Sequence, residues 1–276
     1  MLMTRSLRGA MSLIVLAILL ILAVAHLGGC SEDDGSPVAA DPNQAPTLPD
    51  PATLEFDFSF FDAGAGLDKT VGIHDNFINA YLRVAVIGAV SRLVLTPPVA
   101  AFAIALHTVP MPQADGSWIW TYEWRDGDER ALISLRGLSV AERVEWTMYI
   151  TLLDDGHDID DALWFEGSTS AGGQEGRWFF HDVEDPAEPV CGEIVWGQDE
   201  TGKFLQFVSH EPETDGDTLS YTDAAPAYAI DFTPGQGAQT WFIRWHDDGH
   251  GSLRVPDYND GEEACWDVLQ RDTDCR

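Results

Sequence analysis

The chain has 276 residues and carries 46 acidic against 15 basic side chains, a formal net charge of −31. So acidic a protein is repelled by nucleic acid and by anionic lipid surfaces, which argues against both as partners of its bulk surface. The length suffices for one large domain or two small ones with a substantial core.

The chain begins with a positive segment, Arg5 and Arg8, followed by Met11 to Ala25, apolar apart from Ser12. That run suits a signal segment and is shorter than the ~20 residues that span a bilayer. Leu27-Gly28-Gly29-Cys30 comes next, then Ser31-Glu32-Asp33-Asp34. This ordered set resembles the signal of bacterial lipoproteins, with Leu27-Gly28-Gly29-Cys30 as the lipobox. The resemblance covers the first thirty residues. It implies a diacylglyceryl group on the Cys30 sulfur, cleavage before Cys30, and acylation of the new amino terminus. Two or three such chains hold a protein on a membrane stably, where one does so only marginally. Ser31, in place of an aspartate after the cysteine, implies the outer membrane, and Glu32-Asp33-Asp34 is compatible with either its periplasmic face or the cell surface. The expected organisation is a signal peptide over 1–29, a lipidated cysteine and tether over 30–53, and a single β-rich domain over 54–276. Without residues 1–29 the net charge is about −33, from 13 basic and 46 acidic residues.

Pro37, Pro42, Pro46, Pro49 and Pro51 break any regular element before residue 54,. Extended at ~3.1 Å per residue, such a tether reaches roughly 70 Å. Leu54, Phe56, Phe58 and Phe60 then alternate with polar residues, which predicts a strand over 54–60. Residues 74–95 read as a helix, and Thr96-Pro97-Pro98 restarts a second, buried helix to about His107, with Thr96 as N-cap and Pro97 in the first turn. From 118 onward, aromatic and β-branched runs alternate with Asp/Gly turns: 118–124, 130–137, 143–153, 162–169, 176–183, 191–197, 203–210, 218–233, 238–246 and 251–255. That spacing fits an antiparallel meander. The expected fold is α+β, mostly antiparallel β, a curved sheet or incomplete barrel packed on an apolar helix pair. The order of elements is similar to that of the lipoprotein carriers and receptors of the Lol system, whose half-barrel holds acyl chains under a helical lid. The similarity is one of topology and carries no residues across.

Trp118, Trp120, Tyr122 and Trp124 share one strand face, as do Trp241, Ile243 and Trp245. Flat aromatic stripes stack on sugars, aromatic cavities hold acyl chains, and buried stripes simply fill a core. Asp-Asp-Gly-His occurs at 154–157 and at 247–250. Asp154, Asp155, Asp158 and Asp160 in the first loop, and Asp247 and Asp248 in the second, offer oxygen ligands for Ca²⁺. His246 and His250 with Asp247 are the transition-metal alternative. The same tetrapeptide also makes a hairpin turn with glycine at positive φ.

Besides Cys30 the chain has Cys191, Cys265 and Cys275. A Cys265–Cys275 bridge closes a small C-terminal loop, and Cys191–Cys275 pins the tail to a strand. Spacing leaves both open, and we favour the small loop. Gly-x-Ser-x-Gly, His-Glu-x-x-His and phosphate-cradling glycine motifs are absent from the sequence,. These readings rank a lipid-anchored, non-enzymatic envelope protein binding a hydrophobic ligand between helices and sheet first. A carbohydrate-binding module using exposed tryptophans and a hydrolase with an unrecognised site follow.

Overall fold

The computed structural model describes residues 44–54, 56–62, 73–126, 129–153, 159–185, 187, 189–237 and 239–275. These residues are mostly antiparallel β, and they divide into two compact units. The first takes the described residues up to Ala52 together with Leu93–Pro189, and the second takes Thr53–Arg92 and Val190–Arg276.

In the first unit the strands are β1 (Met111–Pro112), β2 (Trp118–Asp126), β3 (Glu129–Val140), β4 (Arg143–Leu152), β5 (Ala162–Ser170) and β6 (Glu175–His181). Each pairs antiparallel with the next. The alternation in β4 translates directly into faces: Val144, Trp146, Met148 and Ile150 are buried, while Arg143 and Glu145 are exposed,. Register then builds the core as rows. Trp120, Leu135, Met148, Phe165 and Phe180 stand opposite one another on successive strands, and all five are buried.

The neighbouring row reads Trp118, Gly137, Trp146, Gly167, Trp178. Indoles and glycines alternate across five strands because the rings occupy the glycines' side-chain space. A Cβ on Gly137 would lie 2.7 Å from the Trp146 ring, and one on Gly167 would lie 2.6 Å from the Trp178 ring. Phe102 packs on this row, with ring centroids 5.3 Å from Trp146 and 5.2 Å from Trp178. Pro46 and Pro49 are buried here too, Pro46 against the Gly137 position and Pro49 against Gly173. The tether expected over 30–53 is therefore docked on the first unit from Pro46 onward.

In the second unit the strands are β7 (Val190–Asp199), β8 (Gly202–Ser209), β9 (Thr218–Ala224), β10 (Ala227–Thr233), β11 (Trp241–His246), β12 (Gly251–Arg254), β13 (Ala264–Trp266) and β14 (Asp272–Thr273). They again pair antiparallel in chain order. One row crosses seven of them: Trp196, Leu205, Tyr221, Ile230, Ile243, Leu253 and Ala264, all buried. Burying each large side chain contributes on the order of 1.5–3 kcal/mol. Phe61 packs on Trp245 and Phe77 on Trp266, with centroids 5.0 and 5.7 Å apart.

Three expectations are corrected. In place of the predicted strand over 54–60 there are a 3-10 turn, Pro51–Leu54, and a short helix α1, Ser59–Asp62, with no strand among the described residues between them. The Asp57 carboxylate accepts the Ser59 N–H at 2.9 Å, a local bond that competes with a sheet ladder,. The alternating phenylalanines serve packing instead, Phe56 and Phe58 on Tyr221, and Phe60 on Trp245. The predicted helix pair is one helix, α2, Asp75–Ala105, running through Thr96-Pro97-Pro98. Proline withdraws an N–H but fixes φ at a helical value, so it weakens a helix without forcing an end. Residues 75–92 of α2 belong to the second unit and 93–105 to the first. The predicted single run 218–233 is two strands, β9 and β10, joined at Ala225–Pro226.

Candidate functional site

Of the aromatic candidates, Trp120 and Trp245 are both 2 % exposed. Trp120 meets Trp146, and Trp245 is stacked on Tyr228 at 5.6 Å. Neither ring offers a face to a ligand from solvent. Trp118 is half-buried beside Gly137. Trp241 is half-buried and stacked on Phe232 with centroids 5.1 Å apart. Trp124 holds its place in β2 opposite Ala131, and its side chain lies outside the described residues. Cys30, Asp154, Asp155 and Asp158 also lie outside them.

The second Asp-Asp-Gly-His is a hairpin turn between β11 and β12. Gly249 donates to the His246 carbonyl at 3.0 Å with φ +102°, a conformation that suits glycine,. The two carboxylates go to different partners. Asp247 accepts from the Tyr228 hydroxyl at 2.7 Å, and Asp248 accepts from the His250 N–H at 3.2 Å and contacts its Nδ1. The bonds from His250, the backbone one foremost, hold Asp248 below the ordinary carboxylate value,. The His246 and His250 rings stack at 4.2 Å, so their faces meet one another. Asp160 is exposed, 3.4 Å from the Thr151 hydroxyl. A Ca²⁺ site needs six or more oxygens converging on one point, and among the described residues the Asp160, Asp247 and Asp248 carboxylates go to separate partners. Among the described residues, Glu263, Cys265 and Cys275 bring three ligand-type atoms together. Cys265 and Cys275 are joined in a disulfide, with an S–S distance of 2.10 Å, which leaves no thiolates for a metal,.

A denser polar convergence lies at the end of β8–β11. Register places Lys203, Asp223, Tyr228 and Trp245 opposite one another. Asp57 and the β11–β12 turn bring two further carboxylates to the same row. The Tyr221 hydroxyl donates to the Asp57 carbonyl at 3.1 Å and lies 3.4 Å from the Asp223 carboxylate. Burial, with Asp223 beside it, pushes the Tyr221 phenol above its usual range. The bond to Asp247 pushes Tyr228 up to about 12. Hydrogen bonds from Ser59 hold Asp57 below the ordinary carboxylate value, and the Lys203 charge adds to this.

No family model, curated protein or solved structure matches this chain. The chemistry of the rim therefore rests on its own geometry. At neutral pH both phenols are protonated and act as hydrogen-bond donors, and the carboxylates act as acceptors. The Tyr221 and Tyr228 protons are spent on the Asp57 carbonyl and the Asp247 carboxylate, so the set braces this end of the sheet from within. Sequence reasoning passed over Asp57, Tyr221, Asp223 and Tyr228 because no local motif marks them. Cross-strand register, and the fold-back of the segment around Asp57, bring them together.

Proposed function

We propose that this chain is a lipid-anchored protein of the bacterial cell envelope whose folded part is a binding module. The observation that carries the reading is Leu27-Gly28-Gly29-Cys30, placed directly after a 15-residue apolar stretch with two arginines before it,. Two further features support it. The Cys265–Cys275 disulfide suits an oxidising compartment outside the cytoplasm,. The acidic balance keeps the folded part from lying on an anionic leaflet, so attachment through Cys30 leaves it free to engage a ligand,. The reading assigns no acyl-chain ligand beside α2. Phe102 packs against Trp146 and Trp178 in the first unit and Phe77 against Trp266 in the second, which supports a packing role for these rings. The test is fractionation of cells expressing the full chain or Cys30→Ser, with metabolic labelling by a fatty-acid analogue. The native chain is expected in the membrane fraction and labelled, and the variant unlabelled and released from the membrane. Labelling of the Cys30→Ser chain would overturn the reading.

A second reading, a saccharide-binding surface, is favoured by one observation. Trp241 is a half-buried residue whose ring forms a stacked pair with Phe232, 22° from parallel. That is a flat apolar platform of the kind a pyranose face stacks on. Cosedimentation with insoluble peptidoglycan tests it. Pull-down that Trp241→Ala abolishes supports the saccharide reading, and pull-down unchanged by that substitution removes it.

A further inference from the structure

The start of helix α2 is held by groups from the far end of the chain. Asp272 Oδ1 accepts the Asn76 N–H at 2.9 Å, and Asp272 Oδ2 accepts the Asp75 N–H at 3.2 Å. A carboxylate 196 residues away thus fills the N-cap role that a local side chain usually plays. The Asp272 N–H donates to the Ile73 carbonyl at 2.8 Å. His74 Nδ1 meets the Gln270 carbonyl at 2.7 Å, and Asn76 Nδ2 donates to the Cys265 carbonyl at 2.7 Å. All the C-terminal partners in these contacts lie in the stretch that the Cys265–Cys275 bridge closes.

Trp266 anchors the start of that stretch through its burial and its Nε1 bond to the Gly249 carbonyl, and the part that carries Asp272 is held more lightly. β14 is two residues long, both exposed, and it pairs with β13 at two positions, Cys265 with Thr273 and Trp266 with Asp272. The turn between them is tied by Asp267, which accepts from Leu269, Arg271 and the Arg271 guanidinium. Cys275 is exposed and Cys265 half-buried, so a soluble thiol reaches the bridge from the Cys275 side. Closing a loop of this size removes much of its freedom to leave the helix.

We propose that the Cys265–Cys275 disulfide is a redox-sensitive clasp on helix α2: closed, it keeps Asp272 on the first amides of the helix, and opened by a dithiol it releases that cap. The step is ordinary thiol–disulfide exchange. A dithiol supplies two electrons and two protons, the S–S bond breaks to give two thiols, and the dithiol leaves as its own disulfide. Among the described residues, the disulfide that such a reductant opens is the one between Cys265 and Cys275. The clasp makes order at residues 73–80 depend on the redox state of the surroundings, and it is independent of how the chain is anchored.

Hydrogen exchange read by mass spectrometry on the full chain in detergent tests this, comparing oxidised protein with protein held in dithiothreitol. Loss of an N-cap corresponds to about a five- to thirtyfold change in local opening. Exchange over residues 75–80 is expected to speed up by that factor on reduction, with the β4 and β11 amides unchanged. Asp272→Ala should show the fast exchange already in the oxidised state and respond little to dithiothreitol. Cys265→Ser/Cys275→Ser should match the reduced native chain; should that variant not fold, the first two comparisons decide the matter. Equal exchange at 75–80 in oxidised and reduced native protein would overturn the proposal, and so would a full redox response in Asp272→Ala.

Discussion

Gly251 and Trp266 stand opposite one another across β12 and β13, and the indole occupies the space a side chain at residue 251 would need. An ideal Cβ there would lie 2.2 Å from Trp266 Cζ2 and 2.4 Å from the Arg244 carbonyl oxygen. The ring is buried and held by Phe77 on its edge and by its own Nε1 bond to the Gly249 carbonyl, so it has nowhere to move. Gly251→Ala is therefore expected to destabilise the fold by about 1–3 kcal/mol, the range for overpacking a tight core. Urea unfolding followed by tryptophan fluorescence measures it. A native midpoint in the variant would show that this contact is slack.

Trp146 Nε1 donates to Thr169 Oγ1 at 2.9 Å with both residues buried. Thr169→Val keeps the shape and removes the acceptor. The indole N–H is then left in an apolar site without the partner it had, at a cost of about 1–3 kcal/mol. Trp146→Phe replaces the indole by a ring without a donor, so adding Thr169→Val to it should cost much less than Thr169→Val does alone. A double-mutant cycle by chemical denaturation gives the coupling, and additive effects would count against the bond.

Asp267 is held down to about 2 from the usual 3.8, chiefly by the Arg271 guanidinium and then by the Arg271 backbone N–H. Its folded value lies below its unfolded value. The stability it contributes is therefore complete above pH 3.8 and is lost as the pH falls from there through about 2,. The carboxylate is partly open to solvent, which screens the pair, so the effect is local to the β13–β14 turn,. NMR titration of the Asp267 carboxyl should give a midpoint near 2, and Arg271→Ala should raise it toward 3.8. A midpoint at 3.8 in the native chain would show that the ion pair does not persist in solution.

How far the fold could be read in advance depended on the range of the forces involved. Period-2 alternation is set by neighbours two residues apart, so strands such as Arg143–Leu152 were legible with the correct inward face,. Helix α2 was legible as helix but not as one piece. Thr96-Pro97-Pro98 is a strong local start signal, and the signals for continuation lie in packing at the two ends, where Phe77 and Phe102 are buried in their respective units. The phenylalanine alternation at 54–60 had the right residues and the wrong element, because a single Asp57–Ser59 bond redirected the backbone. The short strands β1, β13 and β14 carry too few residues for any period to register. The polar rim was illegible because Asp57, Tyr221, Asp223 and Asp247 are separated by up to 190 residues and share no motif. Among the tryptophans, ring type alone could not separate Trp120 and Trp245, which line the core, from Trp241, which is half-buried.

Burial of Pro46 sets the length of the leash. With Cys30 lipidated as proposed, the link from the lipid to the folded part ends where Pro46 meets the Gly137 position, not at residue 53. About 16 links remain, a span of at most roughly 55 Å at ~3.5 Å each. The point of suspension is then a fixed spot on the first unit, and pull along the chain is delivered to the tryptophan–glycine row beneath it.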